Sequence, residues 1–208
     1  MQHTDHGVLP AEPEKATLEG RNKILAFWLF LGGEMVLFGS LFATYLALRE
    51  QYVSGPAPHD IFKIELVAMA TILLLTSSLT SVFAIIGMHR HNFKMMMFWF
   101  AVTVVLGFAF LGLEIYEFYH YYQEGHTMTS SAYGSAFYTL VGFHGAHVLF
   151  GVTWITTLMI SALKKGLTVV TAPKFYIASL YWHFVDVVWV FIFTVVYLMG
   201  IMSGKGGA

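Results

Sequence analysis

Long apolar runs separated by short polar connectors dominate the pattern of this chain. Five runs are each long enough to cross a bilayer core of about 30 Å, which takes about 20 helical residues. The connectors contain Pro, Gly, Asn and charged residues, which interrupt regular structure. The pattern predicts an all-α integral membrane protein with five transmembrane helices in one bundle, at about residues 24–48, 61–88, 95–122, 133–163 and 173–202.

Both ends of the chain are polar. Residues 1–23 lack a basic segment followed by an apolar run and a small-residue cleavage site, so we do not expect a signal peptide. We predict a polar cytoplasmic tail at 1–23, a transmembrane domain at 24–202 and a short outer tail at 203–208.

The basic residues predict the orientation of the bundle. Cytoplasmic segments of membrane proteins are enriched in Lys and Arg. Of the eleven basic residues, eight lie on the side of the N-terminus and three on the other side. We therefore expect the N-terminus in the cytoplasm and the C-terminus outside. The eight are Lys15, Arg21, Lys23, Arg90, Lys94, Lys164, Lys165 and Lys174.

Composition supports the membrane class and excludes several kinds of site. Charged residues make up 11% of the chain, whereas soluble domains carry roughly a quarter. The formal net charge is −1 and the basic residues are scattered, so no nucleic-acid partner is expected. The chain has no cysteine, which excludes disulfides, iron–sulfur clusters and thiolate copper centres.

Ionisable residues inside the predicted spans are the candidate functional groups, because charge is costly in lipid. Three explanations are open for them: hydrogen bonding between helices, a metal site and proton handling. Their spacings resemble the ligand sets of di-iron bundles. However, no Glu-x-x-His pair lies at the required depth, so interhelical hydrogen bonding is favoured. The six residues are Glu34, Glu114, His144, His147, His183 and Asp186.

Motifs on four of the predicted helices resemble those of one family. They are FWLFLGGEMVLFGSLFATYLALR (27–49), LGLEIYEF (111–118), GSAFYTLVGFHGAHVLFG (134–151) and SLYWHFVDVVWVFIFTVVYLMG (179–200). In this order they resemble subunit III of the haem–copper terminal oxidases. The resemblance is strongest to the five-helix cytochrome c oxidase subunit III of Bacillus-like bacteria.

The resemblance implies a non-catalytic subunit of a proton-pumping oxidase in the bacterial plasma membrane. Haem and copper would lie in partner subunits, and this chain would bind neither. It would contact subunit I directly, accompany subunit II and a small subunit IV, and hold phospholipid. Contacts with lipid or subunit I are expected at Glu34, Trp28, Trp99, Trp182 and Trp189.

Carried over to this chain, the family's buried helix carboxylate falls on Glu34 and its histidine pair on His144 and His147. Its W-H-F-x-D motif falls on His183 and Asp186. The longer members have two further helices, which form one wall of a lipid-filled cleft and are lacking here.

Three alternative functions are open. The first is subunit III of a quinol oxidase, which differs in the electron donor. The second is a metal-dependent membrane enzyme that uses some of the ionisable residues above. The third is a small transporter, although the spans contain neither a broken-helix pair nor an inverted repeat.

Overall fold

The structure is a computed structural model that describes residues 9–49, 64–123 and 131–200. Within these ranges it is helical, with five helices long and apolar enough to cross a membrane. The five are α1 (Leu18–Leu48), α2 (Ile64–His89), α3 (Phe93–Gln123), α4 (Ala132–Lys165) and α5 (Ala172–Ile192). A π-helical segment, Phe193–Leu198, continues α5, and a short 3-10 turn, Pro13–Lys15, precedes α1.

Capping residues explain where the helices begin and end. α1 begins at Leu18, six residues before its predicted start, because the Thr17 hydroxyl accepts a hydrogen bond from Gly20 N at 3.0 Å. The polar residues 19–23 are therefore helical, although they precede the apolar segment. α4 is capped in the same way by Ser131 and ends at Gly166, whose φ of 68° favours glycine. The predicted residues 61–63 and 201–202 lie outside the described ranges.

α5 is the central helix of the bundle. It contacts α1, α2 and α4, while α3 lies between α2 and α4. The apolar segment of α5 is 56% buried, compared with 11% for that of α1. α1 packs on α4 and α5 and is a peripheral helix, with most of its surface facing away from the bundle.

Glycines provide the space for the largest side chain of the core. A Cβ atom on Gly107 of α3 would lie 2.7 Å from the Trp182 ring of α5, and one on Gly151 would lie 3.1 Å from it. By contrast, four other glycines would have no atom within 4 Å of an added Cβ, so they form no close helix contact within the described residues. These are Gly32, Gly33, Gly39 and Gly112.

Candidate functional site

Glu34 of α1 and His147 of α4 form a polar pair between helices. Glu34 Oε2 lies 3.2 Å from His147 Nε2, and Nδ1 of the same ring lies 2.7 Å from the Phe143 carbonyl oxygen. Because a carbonyl oxygen only accepts, Nδ1 carries a hydrogen and donates it. Nε2 then either accepts the proton of a neutral Glu34 or donates to its carboxylate as an imidazolium. In both forms the pair is neutral overall and shares one proton.

The pair lies beside a groove between α1, α4 and α5. The two side chains are 15% and 17% exposed, so both can be reached from outside the bundle. The Tyr181 hydroxyl donates to the His147 carbonyl oxygen at 3.0 Å, which connects this part of α4 to α5. The groove has a volume of about 250 Å³ and is lined by Phe30, Ala146, His147, Phe150 and Tyr181.

His144 faces a different part of the bundle. Its ring is fully buried, stacks on Trp189 at a centroid distance of 5.3 Å and meets Phe110 edge-on at 5.9 Å. Neither ring nitrogen has a hydrogen-bond partner among the described residues. Residues three apart on a helix differ by about 60° in direction, which places these two histidines in different interhelical spaces. Within the described residues, His144 contacts its neighbouring helices through aromatic packing, and a hydrogen bond from its ring stays a prediction.

A band of hydroxyl groups on α2 forms hydrogen bonds with α5. The indole Nε1 groups of Trp182 and Trp189 donate to Ser77 and Thr71 at 2.9 and 3.1 Å. His183 is also part of this contact, since its Nδ1 lies 2.7 Å from the Ser78 hydroxyl. This hydrogen bond joins α5 to α2. A further bond, of 2.8 Å, joins Ser81 to Ser179.

Asp186 lies between the two tryptophans on the same contact. Its side chain is buried, and neither carboxyl oxygen has a hydrogen-bond partner among the described residues, although Ser78 lies nearby. Trp182 and Trp189 are only 0% and 1% exposed. The prediction that these two tryptophans contact lipid or a partner subunit is therefore wrong, because the bundle itself covers them.

Two glutamates of α3 face its neighbouring helices. Glu114 packs against Gly145 of α4, where an added Cβ would lie 2.6 Å from the carboxyl group. Its Oε1 atom has no hydrogen-bond partner among the described residues. Glu117, one turn further along, accepts hydrogen bonds from Tyr121 and, at 3.2 Å, from Tyr197. The sequence shows Glu117 as a second carboxyl group one turn from Glu114, but it does not identify the two tyrosine partners, although Glu117 and Tyr121 have the spacing that faces one side of a helix.

The remaining tryptophans lie nearer the surface. Trp28 is exposed, and Trp99 is half-buried against Phe83 at a centroid distance of 5.0 Å. Their contact with lipid or a partner subunit stays a prediction.

The six ionisable candidates are distributed over several contacts between helices, and Glu34 and His147 form the one direct pair among them within the described residues. Among the described residues, no group of three or more His, Asp or Glu side chains could hold one metal ion. The geometry supports hydrogen bonding and packing at Glu34, His147 and His183. It leaves three buried groups without complete hydrogen bonding in the part of the chain that the structure describes, namely Glu114, His144 and Asp186.

Comparison with known proteins agrees with the motifs. The family described as cytochrome c oxidase subunit III matches residues 15–201. Cytochrome c oxidase subunit 3 of Bacillus sp. strain PS3 is 66% identical over 195 residues, which cover 93% of this chain and 94% of the relative. The corresponding protein of Bacillus subtilis has the same identity and coverage. Quinol oxidase subunit 3 of Bacillus subtilis is 47% identical over 201 residues, which cover 97% and 98%. This chain therefore belongs to the cytochrome c oxidase subunit III family.

Proposed function

We propose that this chain is the non-catalytic subunit III of an aerobic respiratory cytochrome c oxidase. The observation that carries the proposal is the 66% identity, over nearly the whole chain, to two relatives named cytochrome c oxidase subunit 3. The identity to a quinol oxidase subunit 3 is lower, at 47%. The complete oxidase passes electrons from cytochrome c to oxygen and couples this reaction to proton pumping.

The residues available in this chain favour a non-catalytic role in this complex. A dicopper centre needs cysteine thiolates, which this chain lacks. Its three histidines at membrane depth, His144, His147 and His183, face different neighbours and are too few for the haem and copper ligands of subunit I. Haem and copper therefore belong to the partner subunits, and this chain stabilises subunit I and organises lipid.

The surface of α1 is the region proposed for contact with subunit I or lipid. This helix is the least buried of the five and exposes Gly32, Gly33 and Gly39. Small residues on a membrane helix allow a neighbouring helix to approach closely. The aromatic groove beside Glu34 has space for part of an acyl chain. Subunit II and a small subunit IV complete the proposed complex.

The proposed location is the bacterial plasma membrane, with the N-terminus in the cytoplasm and the C-terminus outside. The beginnings of α1, α3 and α5 lie at one end of the bundle with the ends of α2 and α4. Exposed basic residues gather at this end, which supports its assignment to the cytoplasm. They include Arg21, Arg90, Lys94, Lys164, Lys165 and Lys174.

Purification of the tagged chain in mild detergent tests the proposal. We expect haem and copper to co-purify with larger subunits, and to be lost from the tagged chain when those subunits are stripped away. The purified complex should oxidise reduced cytochrome c. Metal that stays on the isolated chain would contradict the proposal and support the metal-dependent enzyme.

A bulky substitution tests the contact surface on α1. Gly33→Phe adds a side chain at a position where an added Cβ would meet no atom of the described residues within 4 Å, so the bundle should fold. We expect this variant to recover less subunit I in the same purification. Val105→Phe, on the exposed face of α3, is the matched control. If only the Val105 variant loses subunit I, the contact surface lies on α3 and not on α1.

The second candidate function is subunit III of a quinol oxidase. The 47% identity to such a subunit, over 97% of this chain, keeps it as an alternative. Electron-donor specificity of the purified complex decides between the two. Oxidation of a quinol without oxidation of reduced cytochrome c, and a subunit II without copper-binding cysteines, would favour the quinol oxidase.

A further inference from the structure

The segment before α1 folds back tightly on one end of the bundle. In the turn Pro13–Lys15, Pro13 and Glu14 are buried, and the turn packs on α5. A Cβ atom on Gly20 would lie 2.4 Å from the Glu14 carbonyl oxygen and 3.2 Å from Pro173 Cγ. The absence of a side chain at Gly20 therefore allows the turn to lie against both α1 and α5.

Glu14 connects this turn to the end of α2. Its two carboxyl oxygens lie 3.2 and 3.3 Å from His89 Nε2. A carboxylate only accepts hydrogen bonds, so Nε2 is the donor. The Glu14 side chain is 0% exposed, whereas that of His89 is 37% exposed and can exchange protons with water. Since α1 packs on α4 and α5 rather than on α2, this contact joins two parts of the bundle that are otherwise apart.

We infer that Glu14 and His89 form a pH-sensitive clasp, which holds the N-terminal segment on the bundle more tightly when His89 is protonated. A buried carboxylate loses its hydration and needs compensation. A neutral imidazole supplies one hydrogen bond, whereas an imidazolium supplies a charge-assisted bond, which is about twice as strong. Opening the clasp returns Glu14 to water, where it no longer needs His89. Lower pH therefore favours the closed clasp.

Other charged groups lie on the elements that form the clasp. Within the turn, the hydrogen bond from Lys15 Nζ to Glu12, at 3.0 Å, raises the pKa of the Lys15 ammonium. On α1, Lys23 is paired with Glu19 at 2.5 Å. His91 is the other histidine just after the end of α2. Further charged residues on these elements are Arg21 on α1, Arg90 after α2, Lys94 on α3 and Lys174 on α5, and Tyr176 of α5 lies close enough to act on Lys15.

Hydrogen–deuterium exchange of the intact, assembled protein tests the clasp. Backbone amides report on it directly, since Lys15 N donates to Glu12 O at 3.1 Å and Gly20 N donates to Thr17 Oγ1 at 3.0 Å. Exchange of a peptide covering residues 12–21 would be measured at pH 6.0 and 8.0. Each rate is divided by that of the same peptide in the unfolded chain. We expect protection to fall by about threefold or more from pH 6.0 to pH 8.0.

Substitutions test whether the pH dependence of protection arises from His89. His89→Gln keeps a hydrogen-bond donor but does not titrate, so protection should become independent of pH. His89→Arg keeps the positive charge at both pH values and should stay protected at both. It also provides a test if the Gln variant does not assemble. His91→Gln is the matched control and should keep the wild-type pH dependence.

Three results would overturn the inference. The first is equal wild-type protection at both pH values. The second is a pH dependence that persists in His89→Gln or His89→Arg. The third is a pH dependence that disappears in His91→Gln, which would assign the titration to the neighbouring histidine.

Discussion

The contact between Gly107 of α3 and Trp182 of α5 supports a quantitative stability prediction. An added Cβ on Gly107 would lie 2.7 Å from the Trp182 ring and 2.7 Å from Val152 Cγ2. Normal contacts between carbon atoms lie at about 3.5–4.0 Å. Gly107→Ala therefore requires a movement of close to 1 Å by the ring, by α4 or by α3 itself.

Trp182 cannot easily move away. Its Nε1 donates to Ser77 of α2 at 2.9 Å, and its ring is completely buried. On the side of α4, an added Cβ at Gly151 would lie 3.1 Å from the same ring, so little space is free there. Overpacking of a filled core costs about 1–3 kcal/mol. For a chain of this length, each kcal/mol lowers the midpoint of thermal unfolding by about 2–4 °C.

Intrinsic tryptophan fluorescence during heating of the purified complex measures this effect. Gly112→Ala is the matched control, because it lies on the same helix and its added Cβ meets no described atom within 4 Å. We expect a lower midpoint for Gly107→Ala and an unchanged or slightly higher one for Gly112→Ala. Trp182→Phe in the Gly107→Ala background should recover part of the loss, since the smaller ring leaves space. Equal midpoints for the two alanine variants would refute the packing argument.

Three further predictions concern the polar groups. Glu34→Ala leaves His147 Nε2 without its partner, and we expect a normal initial rate of oxygen consumption but earlier loss of activity during sustained turnover. Complete inactivity from the first turnovers would instead indicate a direct role. His144→Phe should change stability by less than about 1 kcal/mol, because the ring makes aromatic contacts and no hydrogen bond within the described residues. A large loss of stability in a denaturation assay would indicate an unrecognised partner. Thr71→Val removes the acceptor of the Trp189 indole hydrogen bond without emptying the site of the buried ring, and a denaturation assay should show a loss of about 0.6 kcal/mol. Unchanged stability would contradict a contribution from this bond.

The number and type of the helices could be predicted from the sequence. Each apolar run satisfies its own backbone hydrogen bonds as a helix and needs no other segment to do so in lipid. The largest difference between the predicted and observed helix bounds lies at the start of α1, because residues 19–23 lack an apolar pattern and the helix start is marked by the cap at Thr17. The hydroxyl groups of α2 are visible in the sequence between Thr76 and Ser81, and such groups in lipid mark contacts between helices.

The sequence shows which polar residues lie within the helices, but it does not identify their partners. Glu34 was expected to bond to a neighbouring helix, and the structure identifies that partner as His147. His144 is also a histidine and lies at nearly the same depth as His147, yet its ring lies in an aromatic pocket. The contact of Glu14 with His89 joins residues 75 positions apart and has no local signal in the sequence.

The amino-acid sequence alone predicts the five apolar segments, the polar residues within them and the family to which the chain belongs. The central position of α5 and the peripheral position of α1 follow from the packing of the helices. The same packing places Gly107 against a tryptophan, whereas Gly33 faces no other part of the described chain. The physical reason is that helix formation depends on residues within four positions of each other, whereas contacts between helices depend on the rotation and order of whole helices. A difference of about 60° in direction is enough to separate His144 from His147.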